Sequence, residues 1–293
     1  MGALPATGRL RLAVRRRYAP LLVPALDLLD GWDAPHAAAA VMGRGRGVLA
    51  VHGDGRRPSR WASVTKMLTA VAVLVAVEEG TLALDDQAGP PGSTIRHLLA
   101  HASGLAFDRE RVVAAPGERR IYSNAGFEAL AAAVAQRAAM PFETYLREAV
   151  LAPLGLQATR LEGTAAAGLV GPLDDLVRFA RELMAPTLVS RETFAVATAV
   201  AFPGLGGVLP GIGRYDPLDW GLGFELRDGK ASHWTGRRCS PETFGHFGGS
   251  GSLLWVDPAA GVALAALSGR EFGAWARAAW PALSDRVLDD YGA

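Results

Sequence analysis

Two kinds of hydrophobic pattern alternate along the chain in blocks. Near the start, HAAAAVMGRGRGVLAVHGDG (36–55) is a pair of short apolar runs around a Gly-Arg turn at 43–46, which predicts two strands. SVTKMLTAVAVLVAVEE (63–79) is apolar nearly all round and is stopped by Gly80, so it predicts a helix buried inside the protein. Further helical segments are predicted over 94–102 (capped by Ser93 or Thr94), 126–139, 142–150, 174–184 and 191–200. Beyond Pro203 the composition turns to Gly, Pro and aromatic residues. There WGLGFEL, TFGHFGGSGSLLWVD and GVALAALSG predict strands, and 274–291 predicts a closing amphipathic helix. Strands at both ends with helices between them predict an α/β (α+β) fold. In it an antiparallel β-sheet, flanked by helices, is built from both chain ends (1–62 and 205–293). A mainly helical domain (63–204) is inserted, and the active site is expected between the two.

Composition narrows the class. The 293 residues are 50% apolar, enough for a large core and too apolar for a disordered chain. Thirty basic against 29 acidic residues leave a net charge of +1, without the basic excess of a nucleic-acid binder. Cys239 is the only cysteine, so no internal disulfide forms and an oxidising compartment is not required. The Arg-rich start (Arg9, Arg11, Arg15–Arg17) is followed by YAPLLVPALDLLDGW, which Pro20, Pro24 and Asp27 interrupt. It makes a poor secretion signal and a better first helix whose leucines pack on the domain. The longest apolar run, Met67–Val77, is about half a bilayer span, so no transmembrane segment is predicted and cytoplasmic residence is the default expectation.

The charge count hides an asymmetry that points to chemistry. Of the 30 basic residues only Lys66 and Lys230 are lysines; the other 28 are arginines. Lys66 stands three residues after Ser63, at the start of the buried helix. That spacing puts hydroxyl and amine on one face, and burial disfavours the ammonium, so the amine becomes a usable base. Arginine could not take that role. Lys230, ahead of a predicted strand, reads as a surface turn residue. Tyr122-Ser123-Asn124 sits at a helix entry: a phenol beside a cation can ionise below its usual pKa of about 10, and an Asn amide can meet a substrate amide. His246-Phe247-Gly248-Gly249 lies in a predicted strand whose glycines allow close approach of a ligand or another backbone.

Ser63-x-x-Lys66, Tyr122-x-Asn124 and His246-x-Gly248 together resemble the three motifs of the penicillin-recognising serine hydrolases, which comprise serine β-lactamases, D-alanyl-D-alanine carboxypeptidases and related esterases. The segments RWASVTKMLTAVAVLVAVEEGTLALDD, TIRHLLAHASGL, PGERRIYSNAGFEALAAAVAQ, FETYLREAVLAPLGLQAT and GHFGGSGSLLWVDPAAGVALAALS are similar to its class C-like branch. The resemblance implies a sheet-plus-helical fold and no cofactor or metal. It implies acylation of Ser63, proton movement by Lys66 and Tyr122, and substrate contacts by Asn124, His246, Gly248 and Gly249. The backbone N–H groups of Ser63 and Gly249 would form the oxyanion hole. His246 stands where β-lactamases and carboxypeptidases commonly carry Lys, and a neutral imidazole holds a carboxylate less well. The expected substrates are therefore small esters or amides; a true β-lactamase or carboxypeptidase is the alternative, and a catalytically silent acyl- or peptide-binding homologue the third reading. Trimmed loops at LALDDQAGPPGS and AFDRERVVAA suggest an open cleft.

Other patterns carry less. His97 and His101 share a helical spacing but lack the H-E-x-x-H of a zinc protease, and read as packing residues. No Gly-x-Ser-x-Gly elbow and no P-loop is present, and Cys239 has no CxxC partner.

Overall fold

A computed structural model describes residues 24–292. The strands are β1 (Ala37–Gly43), β2 (Gly47–His52), β3 (Ser59–Arg60), β4 (Arg120–Ile121), β5 (Arg160–Leu161), β6 (Leu169–Gly171), β7 (Gly207–Leu209), β8 (Gly213–Tyr215), β9 (Glu225–Leu226), β10 (Phe244–Gly248), β11 (Ser252–Asp257) and β12 (Val262–Ser268). The α-helices are α1 (Thr65–Glu78), α2 (Ile95–Leu99), α3 (Asn124–Ala138), α4 (Phe142–Leu146), α5 (Leu173–Met184), α6 (Arg191–Ala197) and α7 (Ala274–Tyr291).

The main sheet is antiparallel, in the order β2-β1-β12-β11-β10-β9, so strands from both chain ends meet where β1 pairs with β12. Alternation along these strands makes two cores. Ala38, Ala40 and Met42 of β1, with Ala263, Ala265 and Leu267 of β12, face α1 and α5. Ala39, Val41, Leu264, Ala266 and Trp255 face α7 and a 3-10 helix at Ala25–Trp32. The alanines of β1 and β12 leave room for helices close to both faces, and the aromatic bulk comes from Trp255 and Trp280.

The first helix expected from the sequence is thus the 3-10 helix Ala25–Trp32, with Leu26 and Leu29 buried; the Arg-rich segment before it lies outside the described residues. Among the described residues no helix is long and apolar enough to cross a membrane.

Several boundaries differ from expectation for local reasons. Ser63 lies in a 3-10 turn (Ala62–Val64) that feeds α1, rather than in the α-helix proper. α2 ends at Leu99, short of Ala102, because His101 takes a left-handed φ of 55° and redirects the chain. WGLGFEL pairs only at Glu225–Leu226. There Gly223, at φ 89°, lies so close to α1 that a Cβ would run into Ala70, and this packing replaces a strand ladder. Lys230 is not a surface residue: it is buried, with 6% of its surface exposed.

Candidate active site

The site begins with a strained elbow. Trp61 is fully buried, with its indole N–H donating to Gly171 O, and the next residue, Ala62, is held at φ 45°. An alanine in that region costs about 1–2 kcal/mol, which the surrounding contacts must offset. Ser252 Oγ donates to Trp61 O (2.7 Å) and Ser250 Oγ to Arg60 O (2.6 Å), so the β10–β11 turn clamps the elbow. Ser63 follows and is half-buried.

One turn on, Lys66 is wholly buried. Its Nζ lies 3.3 Å from Ser63 Oγ, 2.6 Å from Asn124 Oδ1 and 2.9 Å from Ala166 O. It also sits over the Tyr122 ring, 4.8 Å from the centroid. Among the described residues no carboxylate pairs with it within 4 Å; Glu128 acts on it only at longer range. Burial therefore dominates and pulls its pKa from 10.5 down to about 7, with Glu128 opposing. The Glu128 carboxylate also accepts the N–H groups of Ala165 and Ala166, fixing the turn that presents Ala166 O to the amine. Nothing in the sequence marks Glu128 or this turn, since the contact joins α3 to a loop nearly forty residues away.

Three partners around one nitrogen define its protonation chemistry. An ammonium can donate to all three. A neutral amine has two N–H bonds, which the Asn124 and Ala166 carbonyl oxygens can only accept, so its lone pair is left for the Ser63 hydroxyl proton. Asn124 is set by its place as the first residue of α3, behind the Ser123 cap. With Oδ1 committed to Lys66, its amide N–H groups remain for another acceptor.

Tyr122 departs from the expectation of an easily ionised phenol. Burial drives its pKa well above the ordinary tyrosine value, and a hydrogen bond with Ser63 only partly offsets this. Near neutral pH it is a protonated phenol. Its hydroxyl lies 3.3 Å from His246 Nε2, while His246 Nδ1 lies 2.7 Å from Phe247 O. A carbonyl only accepts, so Nδ1 carries the proton and Nε2 accepts from Tyr122. Burial, reinforced by Lys66, lowers the His246 pKa to about 3, which keeps the ring neutral. His246 is 2% exposed and meets the cleft through the Tyr122 hydroxyl.

The segment of β10 carrying His246–Gly248 lies beyond the two residues that pair with β9, so it forms a free sheet edge beside the elbow. A Cβ on Gly248 would crowd Trp61 O and Ala62 Cβ, so this glycine allows the strand to touch the elbow. Gly249 has open space around it. The three motifs, from the head of α1, the entry to α3 and the edge of β10, therefore converge.

His101, read from the sequence as packing, lies inside this cluster. Its Nδ1 accepts the Ser123 N–H (3.1 Å), its carbonyl accepts the Ile121 N–H (2.8 Å), and its ring tilts against Tyr122 at 4.5 Å. His97 instead stacks on Phe202, away from the cluster, and among the described residues no group of side chains has metal-ligand geometry. Cys239 is buried and its thiol pKa is pushed up to about 12, which makes it inert.

The sequence profile described as Beta-lactamase matches residues 27–288. The chain belongs to the β-lactamase family. A crystal structure of a β-lactamase from Mycobacterium bovis shares 54% identity over 92% of this chain and 100% of that one, with a TM-score of 0.90. Penicillin-binding protein 4* of Bacillus subtilis (strain 168) is 27% identical over 133 residues, 34% of this chain and 30% of that protein, so the match spans about a third of each. The hydrolase EstCE1, described as having promiscuous acyltransferase activity, shares the fold at a TM-score of 0.71 and 18% identity, over 90% of this chain and 98% of that one. The chain has the mixed helix and antiparallel-sheet architecture of the β-lactamase fold, as expected from its sequence.

Proposed function

We propose that the protein hydrolyses small esters or amides through an acyl-enzyme on Ser63. The observation that carries this is the Lys66 environment: a buried amine, unpaired by carboxylate and with its pKa near 7, whose third partner is the Ser63 hydroxyl. Neutral Lys66 takes the Ser63 proton as Oγ attacks the carbonyl carbon. The Ser63 and Gly249 N–H groups receive the developing oxyanion, a role supported by the contact of Gly248 with the elbow. The protonated amine then returns a proton through Tyr122 to the leaving atom, and the ester or amide bond breaks. Asn124 orients the bound substrate with its free amide hydrogens. Water then attacks the acyl-enzyme in the same way, with the same base.

The test is intact-protein mass spectrometry after exposure to an activated ester, a fluorophosphonate and a penicillin. An adduct on Ser63 that Ser63→Ala abolishes is the expected result; no adduct with any reagent would overturn the nucleophile. A second reading, hydrolysis of β-lactams, is favoured by the 54% identity to a chain described as a β-lactamase. Against it stands His246, buried and neutral where a cation would meet the β-lactam carboxylate. A penicillin adduct without an ester adduct would favour that second reading, and turnover of the penicillin would then separate hydrolysis from binding alone.

A further inference from the structure

Beside Tyr122 opens a cleft of about 800 Å3, within the range of small-molecule sites. Its walls are Phe107, Val113, Ile121, Tyr122, Val208 and Pro210. Phe107 and Val208 are about half exposed, and neighbouring Val112 is too, so three of the eight large exposed hydrophobic residues among those described gather here. Grouped exposed apolar side chains mark a surface that is covered in use.

The wall is built to last. β4 and β7 run parallel there, pairing Ile121 with Val208. Beneath them the buried Arg120 guanidinium donates to the carbonyls of Ala100, Leu218, Ala201 and Phe202, tying three other chain segments to one point. Arg119, Arg214 and Asp216 also border the cleft, but they are exposed and keep their charges in water, leaving the apolar walls to desolvate a ligand.

We infer that this cleft holds the leaving group of the substrate, and that this group is apolar: the alcohol part of an ester with a hydrophobic aliphatic or aryl chain. The inference rests on the acyl-enzyme reading above. In that reading the Tyr122 hydroxyl hands its proton to the departing oxygen and regains one from Lys66, as the Ser63 Oγ–carbon bond forms and the carbon–oxygen bond breaks. The departing oxygen therefore lies at Tyr122, and the rest of the alcohol continues along the wall that begins at the Tyr122 ring. The other flank, around Gly249, is a separate cleft lined by Arg57, Ser59, Arg60 and Glu271, too polar for such a chain.

Two ester series test this: acetates of alcohols from ethanol to octanol, and ethyl esters of acids of matching length. The inference expects kcat/KM to rise about two- to fourfold per methylene in the alcohol series up to about hexyl, and to stay nearly flat in the acid series. Val208→Asp should flatten the alcohol slope, so that its loss in kcat/KM grows with alcohol length from ethyl to hexyl acetate. A slope found in the acid series, or in neither, overturns the inference while Ser63-dependent turnover leaves the acyl-enzyme reading intact. Turnover that survives Ser63→Ala overturns that reading instead. Saturation-transfer NMR with 4-phenylbutan-1-ol on Ser63→Ala reads the cleft without turnover. A signal lost on adding Val208→Asp supports the assignment, and an absent or unchanged signal defeats it.

Discussion

The two lysines are both buried and answer the cost of burial in opposite ways. Lys230 is paired with a carboxylate: its Nζ lies 3.3 Å from Glu225 Oε1 and donates to the carbonyls of Asp219 and Leu226. Glu225 also accepts from His233 (2.7 Å) and Trp234 (2.9 Å). Burial alone would raise the Glu225 pKa, but His233, Lys230 and these hydrogen bonds outweigh it and hold the carboxyl below its ordinary value. Lys66 has carbonyls and a hydroxyl but no paired carboxylate, so it gives up its proton instead. The difference teaches that burial alone does not make a lysine a base; the missing counter-ion does.

The largest expected effect separates the two by activity. Lys66→Arg should lower the rate of Ser63 acylation by about a thousandfold or more, because a guanidinium cannot accept the hydroxyl proton. Lys230→Met should leave the acylation rate of the folded protein within about threefold, as an estimate for a residue outside the proton path. Stopped-flow acylation with an activated ester measures both, and equal losses would erase the contrast.

Stability should reverse the order. Lys230→Met leaves Glu225 buried with one cation fewer and should cost about 3 kcal/mol in urea unfolding. Lys66→Met relieves the desolvation of the amine but leaves the Asn124 and Ala166 carbonyl oxygens without its N–H groups, so its net stability change near neutral pH should be smaller than that of Lys230→Met. The pH dependence fixes the sign. Unfolded Lys66 binds its proton up to pH 10.5, whereas the folded form releases it near 7, so between these values the unfolded state holds more protons. Wild-type stability therefore rises with pH across that window, by about 1.4 kcal/mol per unit relative to Lys66→Met, and is flat relative to it below 7. A parallel pair of stability curves would refute the unpaired state of Lys66. The same proton should give acylation kcat/KM an ascending limb centred near pH 7, absent from any group with the ordinary lysine value of 10.5.

How much of this was legible in the sequence follows from distance along the chain. The Ser63–Lys66 relation is local, three residues on one turn, and the scarcity of lysine exposed it. The sheet strands were legible where apolar runs are bounded by turns, as in β1, β2, β11 and β12. What stayed hidden depends on contacts between distant segments. The Lys230–Glu225 pair is close in sequence, but its burial is set by Trp220, Trp234 and the packing of the C-terminal half, so a charged residue near a Gly read as a surface turn. A phenol near a cation reads from the sequence as easily ionised, while the depth of burial, which decides the Tyr122 pKa, has no local signal. His101 stands at helical spacing from His97, but α2 ends at Leu99 before reaching it.

His101 supplies the smallest and most selective test. It touches no reacting atom; it positions Tyr122, through Ser123 N–H on its Nδ1 and through its ring against the phenol. Its left-handed φ of 55° suits Asn better than any other non-glycine residue, and Asn Oδ1 can accept the same N–H. His101→Asn should therefore keep kcat within about threefold of wild type, whereas His101→Leu, which strains at that φ and orphans the Ser123 N–H, should lose about tenfold or more in kcat. KM should stay nearly constant in both, since the ground-state contact assigned to Asn124 is untouched. The discriminating readout is acylation by a substrate whose leaving group needs no proton, such as p-nitrophenolate. If His101 acts by placing the Tyr122 hydroxyl, His101→Leu should recover most of its loss there. An equal loss with both leaving groups would make His101 a packing residue after all.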